Sequence, residues 1–273
     1  MKTQQFVNAV RKNPGIDLSV FSASFLKKTL ERMMQENNVD SADAYHDILV
    51  SDDKVLKNFV NSLHLNYSTF FRNSVDMALL EDHAVPGLVN LKKKSRSPSV
   101  RIWSAGCAAG QEAYSLAMIA DKVISERDCD VQVMTFGTDI LPEAIAGACR
   151  GKYDLSAVLN VKLAYLDRYF KVQRTGYSVS DSIRSQVDFS VGDIIDLAFT
   201  SPPAGIYADF DIVSCCNLLI YYQDEIRQLI LEKLYLSLCH NGLLLVGESE
   251  RSLVQKFGRF ELLYPMGDIF IKK

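Results

Sequence analysis

Ile102-Trp103-Ser104-Ala105-Gly106-Cys107-Ala108-Ala109-Gly110-Gln111-Glu112 is the stretch on which the reading of this chain turns. A strand-like apolar run, Val100 to Ser104, enters a turn of very small side chains, and a helix is expected from about Gln111 to Ile124. A turn without bulk lets a ligand approach the backbone closely and meet the first N–H groups of that helix. The GxxxG spacing fits neither the GxGxxG fingerprint nor the phosphate-binding GxxxxGK[ST] loop, which counts against a nicotinamide-dependent oxidoreductase.

Moving outward, strand-like and helical runs alternate. Val131 to Asp139, a helix from Pro142, Phe210 to Cys215, a helix Gln223 to Cys239 and Leu243 to Gly247 call for a mainly parallel sheet with helices on its faces. Phe260 to Tyr264 and Ile269 to Lys272 are separated only by Pro265-Met266-Gly267-Asp268, a connection too short for anything but an antiparallel pair. Tyr169 to Val172 and Tyr177 to Val179 flank Gln173-Arg174-Thr175-Gly176 as a β-hairpin, a small inserted subdomain at about 165–190. Towards the amino terminus the character changes: only Gly15 of the 14 glycines precedes residue 81. Helices are expected from Val20 to Asn37, from Ser41, and after Asp52-Asp53, where Val55, Leu56, Phe59, Val60 and Leu63 share one face. The division is therefore a helical domain 1–80, a linker 81–98 ending in the polar Lys92 to Ser99, and an α/β domain 99–273.

The chain has 273 residues, 48% of them apolar, enough for a large core. Its formal charge is -3, from 30 basic and 33 acidic residues, so no chain-wide positive field holds nucleic acid or an anionic membrane. No run of eighteen apolar residues suggests membrane insertion. Six cysteines without a CxxC pair, and no signal-peptide stretch, indicate reduced thiols and a cytoplasmic location. Adjacent Cys215 and Cys216 read as inert strand thiols. His46, His64, His83 and His240 are scattered and give no metal site.

Two acids narrow the ligand. Asp139 follows Thr138 at the end of the second strand, where a carboxylate can accept both hydroxyls of a ribose. Asp193, in Gly192-Asp193-Ile194, can accept from an exocyclic adenine amine. One acid for the sugar and one for the base, above a glycine turn, fit an adenosine lacking a pyrophosphate. Taken separately, each acid serves equally well as a helix cap.

Asn66-Tyr67-Ser68-Thr69-Phe70-Phe71-Arg72, the Trp103 to Cys107 turn with Tyr114-Ser115-Leu116-Ala117-Met118, Gly137-Thr138-Asp139-Ile140, Cys216 to Tyr222, and Gly242 to Glu250 together resemble the CheR family. Those are S-adenosylmethionine-dependent methyltransferases that esterify glutamates of chemotaxis receptors. The resemblance spans nearly the whole chain. It implies a class I, Rossmann-like sheet of seven strands with an all-α amino-terminal domain and the inserted hairpin subdomain. It implies S-adenosylmethionine as cofactor, S-adenosylhomocysteine as product and a methyl-accepting chemotaxis receptor as partner. By the same resemblance Arg72 and Tyr221 stand at the reacting groups, and Asn66 and Ser68 touch the cofactor. Ala105, Gly106, Gly110 and Gln111 surround its amino-acid part, Asp139 its ribose, Asp193 and Ile194 its adenine, while Asn217 and Leu218 lie beneath it.

Three departures qualify that pattern. Where the family has two acids and a proline, this chain has Gln111-Glu112-Ala113, so an expected charge on the cofactor's ammonium is lost at Gln111. The family's Cys-Arg-Asn is Cys215-Cys216-Asn217, which puts the substrate in question. The hairpin turn is short, which suggests that no tether to a receptor's tail peptide is required. Lys27, Lys28 and Arg32 could meet an acidic receptor, or form a solvated face. The alternatives are a regulatory protein that binds the cofactor without turnover, or a methyltransferase with a different protein substrate.

Overall fold

The computed structural model describes residues 17–63, 68–95, 98–205 and 208–273. By contacts the chain parts into two units, Met1–Leu65 with Leu218–Leu229, and Asn66–Asn217 with Ile230–Lys273.

Three helices of the first unit start where a side chain satisfies the free N–H groups of the first turn. Ser22 caps Ala23–Glu36, Ser41 caps Ala42–Ser51 and Asp52 caps Asp53–Ser62. Phe25, Leu26, Leu30 and Met33 are buried with Tyr45, Leu49, Phe59 and Leu63. The core also takes in residues from much later in the chain. Tyr222 stacks on Phe21 with centroids 5.5 Å apart, and the Ser22 N–H donates to the Tyr221 carbonyl at 2.8 Å.

The second unit is built on a sheet of seven strands. These are β1 (Ser99–Ala105), β2 (Gln132–Asp139), β6 (Val187–Val191), β7 (Phe210–Cys215), β8 (Leu238–Val246), β9 (Phe260–Leu262) and β10 (Ile269–Lys272), in the order β6-β2-β1-β7-β8-β10-β9. β6, β2, β1, β7 and β8 run parallel, while β10 is antiparallel to β8 and to β9. Sequence order reverses between β1 and β7, the switch point at which open α/β sheets bind ligands. The helix Gln111–Glu126 buries every residue from Ala113 to Ala120, as an element covered on all sides must. A separate sheet, order β3-β5-β4, joins β3 (Lys152–Tyr153) to the hairpin of β4 (Phe170–Gln173) and β5 (Gly176–Val179).

Three boundaries differ from the sequence expectation. Residues 81–98, expected as linker, contain the helix Val85–Lys92, whose Val85, Pro86 and Val89 are buried. This segment is polar at both ends, Glu81-Asp82-His83 and Lys92 to Arg96, and the apolar Val85 and Val89 between them pack into the core of the second unit. The helix expected to reach Cys239 stops at Ser237, and β8 begins at Leu238. There Asn241, at φ 59°, and Gly242 sit in a register shift opposite Phe210/Ile212 instead of preceding the strand. The inserted subdomain gains a third strand at Lys152–Tyr153, too short to carry a pattern of its own.

Candidate functional site

The small-residue turn is held open by its own backbone. Gly106 and Cys107 both donate to the Thr138 carbonyl, at 2.8 and 2.9 Å, and Gly110 N–H closes the turn on the Cys107 carbonyl at 2.9 Å. Gly106, Ala108 and Gly110 have φ of 77°, 48° and 91°. A side chain at Gly110 would in addition place its Cβ 2.8 Å from Ala148 Cβ and 2.9 Å from Phe189. Tyr153 reaches in from β3 and donates its hydroxyl to the Ala109 carbonyl at 2.6 Å. Burial pushes that phenol far above its ordinary range, so it stays a donor.

Asp139, 8% exposed at the end of β2, accepts from Ala108 N–H at 2.9 Å through one oxygen and from Leu141 N–H at 3.0 Å through the other. An ionised carboxylate has about four acceptor positions, so it retains capacity for two hydroxyls. Gly192 N–H donates to the Asp139 carbonyl at 2.9 Å, tying the end of β6 to the end of β2. Asp193 accepts from Ile195 N–H at 3.0 Å, and the Ile194 carbonyl accepts from Lys233 Nζ at 2.6 Å. The structure thus brings Ala105, Gly106, Gly110, Asp139 and Asp193 to one edge of the sheet.

Gln111 opens the helix and is 8% exposed, and its Oε1 is buried without a hydrogen-bond partner among the described residues. Beside it stands a residue the sequence reading passed over. Glu112 accepts from Ser104 at the end of β1 at 2.7 Å, and from Ser214 and Cys216 at the end of β7. It therefore lies at the switch point itself. Desolvation raises its carboxyl above the usual range, against those three donors and the nearby positive charge of Arg72. The signal that could have found it is its spacing: eight residues after Ser104, it falls back over the strand end from the first helical turn.

Arg72 follows Phe71, whose φ is 50° and whose N–H donates to Ser115 Oγ at 3.0 Å. Ser115 in turn donates to the Gln111 carbonyl at 2.7 Å, so the Arg72 turn is fastened to the first turns of the helix Gln111–Glu126. Asn217, at φ 59°, donates its N–H to Glu250 Oε2 at 2.7 Å, and the same oxygen accepts from Gly247 N–H at 2.8 Å. Ser68 is partly buried, and Asn66 lies outside the described residues. Leu218 and Tyr221 belong to the first unit, where the Tyr221 ring packs on Phe25 at 4.9 Å. Cys216 hydrogen bonds with Ser214 at 3.4 Å, and burial raises the thiols of both Cys215 and Cys216 well above the usual range.

A family model described as the SAM binding domain of CheR methyltransferases matches residues 66–264, and one described as the CheR all-alpha domain matches residues 2–64. The chain belongs to the CheR family of methyltransferases. S-adenosylmethionine is the cofactor of this CheR-family chain. It is 26% identical to a chemotaxis protein methyltransferase of Listeria monocytogenes over 91% of this chain and 89% of the relative. It is 28% identical to chemotaxis protein methyltransferase 1 of Pseudomonas aeruginosa over 88% and 86%. A 104.1 kDa protein of Rhodobacter capsulatus is 26% identical over 87% of this chain, which spans 24% of that protein. Among the described residues no cluster of His, Cys, Asp and Glu could hold a metal ion, and no helix is long and apolar enough to cross a membrane.

The residues present fit a cationic nucleoside. The unpartnered buried Gln111 oxygen and the Glu112 carboxylate suit an ammonium, and the side-chain-free turn suits close approach.

Proposed function

We propose that this CheR-family chain transfers a methyl group to glutamate side chains of chemotaxis receptors. Its most similar relatives include proteins named chemotaxis protein methyltransferases. The observation that carries the chemistry is the pinned Arg72 turn, fastened through Ser115 to the helix whose Glu112 lies over the switch point. The cofactor supplies an electrophilic methyl. A glutamate, with an ordinary pKa near 4.3, is already ionised at neutral pH and needs no general base. It needs placement, which supplies up to about 7–11 kcal/mol of barrier reduction. Arg72 orients the incoming carboxylate through one oxygen and leaves the other to attack, because a two-oxygen clamp would stabilise a charge that vanishes in the ester.

Gly106 and Gly110 admit the cofactor's amino-acid part, with Ala105 leading into the turn and Gln111 and Glu112 accepting from its ammonium. Asp139 takes the ribose, Asp193 and Ile194 take the adenine, and Asn217 supports it from beneath. The roles proposed for Asn66, Ser68, Leu218 and Tyr221 rest on the family pattern. The domain division proposed is the all-α part, then the methyltransferase sheet with its inserted hairpin. β4 is the edge of that small sheet, and its hairpin turn has only two residues, Arg174 and Thr175, between paired strands. On that ground we take the receptor tail as unnecessary for docking. Lys27 and Arg32 pair with Glu31 and Glu36 on their own helix, at 3.9 and 3.1 Å, which favours a solvated face over a receptor contact.

The test is incubation with methyl-labelled cofactor and receptor-bearing membranes. Base-labile label on receptors, lost in Arg72→Ala while cofactor affinity stays within about tenfold, or about 1.4 kcal/mol, supports the reading. Binding without transfer refutes it in favour of a regulatory protein.

A further inference from the structure

The turn that carries Arg72 continues into a buried polar cluster that the chemistry above leaves unused. Asn73, at φ 58°, heads the helix Ser74–Leu79 without capping it through its side chain. Its side-chain amide donates instead to Asp76 Oδ2, and at 3.4 Å to Asp268 Oδ2. Asp268 lies in the turn between β9 and β10, and its N–H donates to Asp76 Oδ1 at 2.7 Å. Asp268 Oδ1 accepts from Arg251 Nε at 2.7 Å, and the same guanidinium donates to the Gly267 carbonyl at 2.8 Å. Asp76 and Asp268 are 0% and 3% exposed. Gly267 lets the turn come this close: a Cβ there would stand 2.6 Å from Asp76 Oδ1 and from Leu79 Cδ1.

Arg251 is the chain neighbour of Glu250, which accepts the N–H groups of Asn217 and Gly247. Two adjacent residues thus reach in opposite directions. Glu250 holds the strand end that carries Asn217, and Arg251 holds Asp268, Asp76 and the turn that carries Arg72. Two buried carboxylates, which cost far more free energy than any surface pair, are kept in a path between two segments of the site.

We propose that Asp76, Asp268 and Arg251 are positioning residues for methyl transfer, forming a buried strut that fixes the Asn73 turn, and so Arg72, relative to Asn217. The inference rests on the methylation reading. Arg251 bonds Asp268 directly and reaches Asp76 only through its charge, and Glu248 adds a further negative charge near Asp76. Burial raises Asp76 to about 6, with the Asp268 charge adding to the rise and the Asp268 N–H and Arg251 working against it. A proton on Oδ2 would set an O–H donor against the Asn73 amide donor, so the turn has to rearrange or the amide has to rotate. The strut is formed with Asp76 ionised and is released as Asp76 takes up its proton.

The substrate glutamate alone would give an acid limb near pH 4.3. With the strut, the kcat of the wild-type protein should fall with a midpoint near pH 6. Asp76→Asn removes the charge permanently, so its kcat at pH 8 should drop to the wild-type level below pH 6 and stay flat between pH 5.5 and 8. Its cofactor Kd should stay within about threefold.

Stability should move the other way. The folded-state pKa of Asp76 lies above its unfolded value, so ionisation costs stability as pH rises through about 6, and Asp76→Asn should melt no lower than wild type at pH 8. An Asp76→Asn enzyme that keeps a limb near pH 6, or a wild-type limb already at 4.3, overturns the strut. Hydrogen exchange of the amides of residues 71–74, corrected for intrinsic rates, decides it independently of any substrate. Protection should weaken from pH 8 to pH 5.5 in wild type and be weak at both in Asp76→Asn; equal protection throughout overturns it. Wild-type protein that places no base-labile label on receptors counts against the methylation reading alone, and the exchange result still stands for or against the strut.

Discussion

Gly110→Ala tests whether the small-residue turn is a steric requirement. Two costs add. The residue sits at φ 91°, where an L side chain pays about 1–2 kcal/mol. The added Cβ meets Ala148 Cβ at 2.8 Å and Phe189 at 2.9 Å, and relieving such overpacking costs about 1–3 kcal/mol. Together the loss is about 2–5 kcal/mol, which for a chain of this size lowers Tm by about 4–20 °C at about 2–4 °C per kcal/mol. Phe189 and Ala148 flank the turn proposed to face the cofactor, so on that proposal part of the strain should appear as weaker binding. Gly87→Ala is the matched control. Gly87 is exposed in the helix Val85–Lys92 with nothing within 4 Å of an added Cβ, and the change should stabilise by about 0.5–1 kcal/mol. Scanning calorimetry and cofactor titration read both variants. If Gly110→Ala melts within 1 °C of Gly87→Ala, in the sense of roughly equal stability, and binds cofactor as wild type does, the steric argument for the turn is refuted.

Tyr153→Phe removes the 2.6 Å bond to the Ala109 carbonyl, and should cost about 1 kcal/mol of stability and raise cofactor Kd several-fold; unchanged calorimetric affinity would show that the subdomain does not brace the turn. Gln111→Glu returns a charge at the position proposed for the cofactor's ammonium and should tighten binding by about 1 kcal/mol or more, with a gain that shrinks below pH 5 as the new acid is neutralised; weaker binding at pH 7 would place the ammonium elsewhere. Alkylation at neutral pH followed by mass spectrometry should modify exposed Cys149 first and leave buried Cys107 and Cys215 untouched until unfolding. Equal labelling of Cys107 would mean that the turn opens readily.

The parallel sheet was legible because largely buried strands such as Val100 to Ser104 and Phe210 to Cys215 are short, mainly apolar runs bounded by turns, and Ser22, Ser41 and Asp52 mark the starts of their helices locally. The closing strand pair and the hairpin were legible for the same local reason, since short connections force antiparallel pairing. Residues 81–98 read as linker because of their tail of lysines, whereas the fold buries Val85, Pro86 and Val89 ahead of that tail.

From residue types and spacing alone came the small-residue turn and the strand-end acids Asp139 and Asp193, while the resemblance of several motifs to known sequences pointed to the family. Tertiary structure alone decided that Glu112 meets Ser104, Ser214 and Cys216 over the switch point, and that Asp76 meets Asp268 across 192 positions of chain. Caps and turns are settled by neighbours in sequence, whereas the protonation and pairing of a buried acid depend on which distant strands and turns exclude water around it.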